Sequence, residues 1–430
     1  MNKMGIGILL LVVLIVLVML GVPVAFAIGI ASIGSILMGN YQLIILPQKI
    51  FAGLDSFPML AIPFFVLAGN LMTAGGINDR IMRFASAVAG WLRGSLGIIT
   101  VISSAIFAAI SGSGTATVTA IGGITIPAMK KEGYPADFAA AIASCSSILG
   151  PLIPPSIILI VYGNAVQYSV KDLFMGAVFP GLMMAGGFVI YTYFKARKLN
   201  LPVGDKLDVH VVARETKNSI WALLMPIIIL GGIFGGIFTP TEAAAVSVVY
   251  ALLIGAVAYR NINFKNLEQV LVDSCITSAI MLFLVGCSKI SSWALAVAKV
   301  PAAISEAILS VTSNPIVLLL ILNVFLIIVG MFMEANVAVV IFTPILLPIA
   351  QACGMSVLQF GVMMCTNLCI GLITPPVGLC AMLGNSIAET KLEKTLKSCG
   401  GFMVVGLVTL LLTTYFAPMT EWLPNVLKGG

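Results

Sequence analysis

A run of proline and glycine set inside an apolar segment constrains this chain more than anything else in it: Gly150-Pro-Leu-Ile-Pro-Pro-Ser156, continuing to Gly163-Asn164. The pattern returns 221 residues later as Gly371-Leu-Ile-Thr-Pro-Pro-Val377, continuing to Gly384-Asn385. At that offset, without gaps, Pro127 also meets Pro348 and Gly133 meets Gly354. Glycine fills 42 of 430 positions, so chance gives roughly 0.4 Gly pairs over the matched stretch. Three are found, with the proline and asparagine pairs in the same register. The chain carries an internal duplication.

The surroundings of these motifs fix the class. Hydrophobic residues make up 60% and charged residues 9%. Apolar runs longer than ~18 residues recur, which marks an all-α polytopic membrane protein in a lipid bilayer. The short alternating segments of a β-barrel are absent. The net charge of +6 sits in short loops, where it orients the protein rather than binding nucleic acid. Residues 1–20 have Lys3 ahead of a long apolar run and no cleavage site before Gly21-Val-Pro23, so they read as a retained helix. Eight scattered cysteines without metal spacing read as buried small hydrophobes, and His210 as a solvated loop residue.

Apolar segments fall at 4–20, 22–39, 58–75, 95–127, 138–165, 173–194, 218–238, 243–259, 268–288, 316–350, 357–385 and 400–418. Arg80, Arg83 and Arg93 precede the 95–127 segment and Lys130-Lys131 follows it. Positive charge at both ends puts both in the cytoplasm, so this segment is a hairpin that enters and returns. Its centre, Ser111-Gly-Ser-Gly-Thr115, is small and polar, as backbone turning at membrane depth requires. The second hairpin is 316–350, with Gly330-Met-Phe-Met-Glu-Ala-Asn336 at its centre. Each half is then span, hairpin, span, span. Three full crossings is odd, so the halves are oppositely oriented: an inverted-topology repeat with two re-entrant hairpins and two broken helices. Lys289 and Lys299 are exceptions to the positive-inside pattern.

The expected organisation is N-terminal scaffold helices over 1–57 and a first inverted repeat over 58–194. A charged cytoplasmic linker with connecting helices covers 195–267, a second repeat 268–418, and a C-terminal tail 419–430. The first 40 residues form two short spans meeting at Gly21-Val-Pro23, or one long kinked helix; two spans is the preferred reading.

Proline removes an amide donor and blocks the carbonyl one turn back, so Pro154-Pro155 and Pro375-Pro376 must break their helices. The freed carbonyls and half-helix ends are what broken-helix carriers use for Na⁺, while half-helix N-termini attract anions. The hydroxyls of Ser111, Ser113 and Thr115, with Ser103 and Ser104 upstream, suit a carboxylate or Na⁺. Ser103 and Ser104 read equally as helix-packing residues. Glu334 is an acid in a segment that must dip into the membrane. Asn164 and Asn385 offer donor and acceptor to a substrate, or cap half-helices. Lys289 either neutralises an anion or snorkels outward. A serine-protease reading of Gly112-Ser-Gly114 fails because no intramembrane histidine could act as base.

Together, Ser111-Gly-Ser-Gly-Thr-Ala-Thr117, Gly150-Pro-Leu-Ile-Pro-Pro-Ser156 and Gly235-Gly-Ile-Phe-Thr-Pro-Thr-Glu-Ala-Ala-Ala245 resemble the large membrane subunit of TRAP transporters, the tripartite ATP-independent periplasmic transporters. The resemblance runs over essentially the whole chain. It implies an elevator-type carrier of the ion-transporter superfamily in the bacterial inner membrane, not an enzyme, driven by Na⁺. The implied partners are a small four-helix membrane subunit, encoded separately, and a periplasmic substrate-binding protein. The implied cargo is an organic acid anion such as a C4-dicarboxylate, a sialic acid or a sugar acid. The resemblance further implies one Na⁺ site at the first tip and break (Ser103, Gly112, Gly150, Pro154) and another at the second (Gly330, Glu334, Gly371, Thr374, Pro375). Ser111, Ser113, Thr115, Asn164 and Asn385 are the expected anion contacts. A stand-alone divalent-anion symporter and a channel are the alternatives.

Overall fold

In the computed structural model, residues 3–204, 207–303, 306, 314–376 and 378–428 are described. Among them the chain is helical, without β-strands beyond one isolated bridge between Arg93 and Val203. Nine of their helices are long and apolar enough to cross a membrane. The N-terminal segment is two helices, Lys3–Met19 and Val24–Met38. They are separated at Gly21, whose φ of +81° suits a residue without a side chain.

The first hairpin enters as Ser95–Ser111 and turns at Gly112-Ser113. Gly112 is left-handed (φ +60°), and an added Cβ would meet the Pro155 carbonyl oxygen at 2.7 Å, so both conformation and space demand glycine. Ser113 caps the return by accepting from the Ala116 amide. The return then runs through a π turn, Val118–Gly122, into Gly123–Lys131. The second hairpin is Pro315–Phe332 and Ala335–Ala352, turning at Met333-Glu334.

The first broken helix consists of Ala136–Ser147, a short turn Leu149–Leu152, an unwound stretch and Ile157–Val166. The second consists of Val357–Gly371, an unwound stretch and Leu379–Ala388; Val377 of the repeat motif lies outside the described residues. Both Pro-Pro bonds, 154–155 and 375–376, are cis. The two broken helices run antiparallel. At one end Tyr162 Oη donates to the Val357 carbonyl (2.7 Å), and at the other a Cβ on Gly384 would meet Ser144 Oγ. Opposite directions for equivalent elements are what the odd crossing count demands. The most apolar window of 136–166 is wholly buried within protein, so its unwound backbone is shielded from lipid.

Around this centre lie longer helices. Ala61–Ala74 packs on Pro240–Leu253 and Phe264–Val297. The last of these exceeds the apolar run of 268–288 at both ends and takes in Lys289. The structure also adds Ile45–Leu54 and Ile77–Ala89, short or amphipathic helices that apolar runs do not reveal.

Candidate functional site

Each hairpin tip sits on the break of its own half. A Cβ on Gly150 would lie 2.6 Å from the Ser113 carbonyl oxygen, and one on Gly371 would lie 2.6 Å from Gly330 Cα. The sequence placed tip and break in the same half; the folded chain presses them together, glycine against backbone in both copies. The tips also reach across. Gly114 faces Cys380 and Leu372 of the second break, at 3.1 and 3.6 Å from a would-be Cβ.

Between the tips lies a cavity of about 50 Å³ lined by Gly112, Ser113, Thr115, Pro151, Glu334 and Asn336, among others. It therefore joins residues from both halves. Glu334 precedes the helix Ala335–Ala352 and accepts from Asn336 Nδ2 at 2.6 Å. Among the described residues no basic group lies within ion-pair distance of Glu334. A carboxylate held only by an amide in this setting is costly unless a cation or a proton joins it.

Alongside is a cleft of about 730 Å³. Ser111, Ser113, Thr115 and Thr119 line its hairpin wall, and Asn70, Thr73, Asn78 and Thr277 line the facing wall. Ser111 Oγ lies 3.3 Å from Thr117 Oγ1, and Ser113 Oγ 3.2 Å from Thr115 Oγ1. These are loose pairings that leave hydroxyls able to meet a guest. Asp79, on the helix Ile77–Ala89 that also carries Arg80 and Arg83, lines the cleft as well, and on the topology expected from sequence this is the cytoplasmic side.

Of the residues singled out from sequence, Ser111, Ser113, Thr115, Gly112 and Glu334 line these two spaces, and Gly150, Gly330 and Gly371 close against the tips. Pro154 belongs to the unwound first break; Thr374 hydrogen-bonds the Ile370 carbonyl (2.7 Å) beside Pro375 in the second. Ser103 is fully buried with its Oγ unpartnered, as is Ser146 Oγ on the first broken helix. The two asparagines lie elsewhere. Asn164 Nδ2 donates to the Gly53 carbonyl, and Asn385 Oδ1 accepts from Thr395 Oγ1. Their side chains fasten half-helix ends to neighbouring segments and line neither space.

Sequence reasoning missed Asn323 and Asn367. Asn367 Nδ2 donates to both the carbonyl and Oδ1 of Asn323 (3.0 Å each), binding the second broken helix to its hairpin. An amide in a long apolar run is itself a signal. The orphaned oxygens Asn367 Oδ1 and Asn336 Oδ1 are acceptors without donors, the kind of group a cation or water satisfies.

The family model for the tripartite ATP-independent periplasmic transporter DctM component matches residues 11–419. The chain belongs to that family. It is thus a transporter permease rather than an enzyme. The C4-dicarboxylate TRAP transporter large permease protein DctM of Vibrio cholerae is 37% identical over 443 residues, covering 98% of each chain. The 2,3-diketo-L-gulonate TRAP transporter large permease protein YiaN of Escherichia coli is 36% identical, over 94% of this chain and 95% of its own. Among solved structures, the YdaH transporter of Alcanivorax borkumensis, described as having an unusual topology, superposes with a TM-score of 0.62 over 89% of each chain. At 13% identity that likeness concerns the fold alone.

Proposed function

We propose that this permease carries an organic acid anion into the cell together with Na⁺, in the bacterial inner membrane. A periplasmic binding protein delivers the anion, and a small four-helix subunit completes the membrane complex. The observation that carries this reading is the shared cavity: two oppositely running broken helices, each with a hairpin tip seated on its break, meet at one small space where Ser113, Thr115, Glu334 and Asn336 stand among apolar side chains. Freed carbonyls and orphaned side-chain oxygens suit Na⁺, and the hydroxyls and half-helix N-termini around Ser113 and Ser156 suit a carboxylate. Ser156 and Ser113 each cap the helix start that points at the space. The hairpins and broken helices would move as one body against the outer helices, an elevator motion that re-exposes the cleft on the other side.

The permeases of Vibrio cholerae and Escherichia coli are named for different acids at nearly equal identity, so overall similarity does not choose between a C4-dicarboxylate and a sugar acid; a sialic acid stays within the same class. The test is uptake by proteoliposomes holding both membrane subunits, with binding protein outside. An imposed inward Na⁺ gradient should accelerate uptake, and indifference to it sinks the coupling. Uptake without binding protein would favour a stand-alone symporter. A second test replaces Pro154-Pro155 by Ala-Ala, restoring helical hydrogen bonds and removing free carbonyls. Na⁺ dependence should weaken in that variant; unchanged dependence would move the ion site elsewhere.

A further inference from the structure

Lys289 stands on the helix Phe264–Val297, with its stem packed so closely on Gly53 that an added Cβ there would lie 2.5 Å from Lys289 Cγ. Its Nζ lies 3.5 Å from the Asn164 carbonyl oxygen, in the last turn of the half-helix Ile157–Val166. Gln167 Nε2 donates to the same oxygen at 2.8 Å, and Asn164 Nδ2 returns a 3.4 Å bond to the Gly53 carbonyl. Three segments are tied here: two outer helices and the end of a broken helix. Lys130-Lys131, just ahead of Ala136–Ser147, mark the cytoplasmic end of the first broken helix in the topology read from sequence, so its Asn164 end is the outer one and the tie closes the face opposite the cleft.

We propose that Lys289 is a positioning residue, an outer latch that holds the permease open to the cytoplasm. The chemistry suits a contact that is broken in every cycle. The C-terminus of a half-helix carries partial negative charge and unpaired carbonyls, and a cation there is favoured. No acid among the described residues lies within 4.0 Å of Lys289, so the hold is one long ammonium–carbonyl bond rather than an ion pair. Such a bond is strong enough to bias an equilibrium and weak enough to release.

The latch rests on the elevator reading, because Lys289 and Asn164 must belong to bodies that part. Thr119 lines the cleft and is exposed, so Thr119→Cys reports the inward-open state, in a background where the exposed Cys275 is serine. The complete transporter is labelled with a membrane-impermeant maleimide from the cytoplasmic face of inverted vesicles. Lys289→Met should slow labelling by up to about tenfold, Lys289→Gln should do so less, and Lys289→Arg should restore the parent rate. A parent rate in Lys289→Met, while the parent still responds to Na⁺ and loaded binding protein, overturns the latch and leaves the elevator standing. A parent rate that no ligand alters overturns both. If Lys289→Met fails to assemble, Lys289→Gln decides by the same criterion.

Discussion

The two copies of the repeat use the same plan and hold it together differently. In the second, Asn367 ties broken helix to hairpin through two hydrogen bonds, and Asn323 passes the tie on to Thr414 Oγ1 (3.0 Å). In the first, the equivalent of Asn367 is Ser146, whose hydroxyl is buried and unpartnered. The tips differ likewise: Ser113 and Thr115 in one, Met333 and Glu334 in the other. An amide clamp should stiffen the second hairpin, whereas the first is held by close packing around Gly112 and Gly150. Under the proposed function, specificity would then belong to the hydroxyl-bearing first tip and rigidity to the clamped second hairpin.

The harshest way to break the comparison is at the glycines that let tip meet break. A Cβ at Gly371 meets Gly330 backbone atoms, at 2.6 Å from both C and Cα, inside a hydrogen-bonded helix. At Gly150 the obstacle is the Ser113 carbonyl group, in a turn with more freedom to shift. Gly371→Ala should cost about 3 kcal/mol and Gly150→Ala about half that, read as melting temperatures in detergent, with uptake lost in both. Equal costs would mean that the second copy is no stiffer than the first.

A milder test compares Asn367→Ala with Ser146→Ala. Asn367→Ala removes two hydrogen bonds and leaves Asn323 acceptors bare, which should cost about 2 kcal/mol. Ser146→Ala removes a hydroxyl that satisfies nothing in this state, so its cost should stay below about 0.5 kcal/mol. Should Ser146→Ala raise the Na⁺ concentration needed for half-maximal uptake while sparing stability, Ser146 Oγ belongs with the ion site.

How much of this was legible beforehand follows from the range over which each signal acts. Hairpins and breaks were readable because Gly112, Pro154-Pro155 and Pro375-Pro376 act on their own backbone, and loop lysines and arginines report topology locally. The meeting of Gly150 with Ser113 was only implied by both lying in one half. The helix Ile77–Ala89 was missed because it is amphipathic, with Asp79, Arg80 and Arg83 among its residues, and a search for apolar runs passes over it. By residue type alone, Asn164 and Asn385 suited either a substrate contact or a half-helix cap. Their partners, Gly53 and Thr395, lie 111 and 10 residues away, and pairing at a distance leaves no trace in spacing.

The smallest expected effect concerns the other lysine at a half-helix end. Lys130 Nζ donates to the Ala388 carbonyl at 2.9 Å and lies 3.9 Å from Glu389 Oε2, at the end of Leu379–Ala388. It thus mirrors Lys289 at Asn164, with one difference: Lys130 closes the first hairpin, which moves with the broken helices in the elevator reading, so this contact survives every step of the cycle. Its ion pair is exposed and long, worth about 0.5 kcal/mol or less. Lys130→Met should therefore lower the melting temperature by a degree or two at most and leave the Thr119→Cys labelling rate within about twofold of the parent. A tenfold change would place Lys130 across the sliding surface and redraw the boundary between the moving body and its frame.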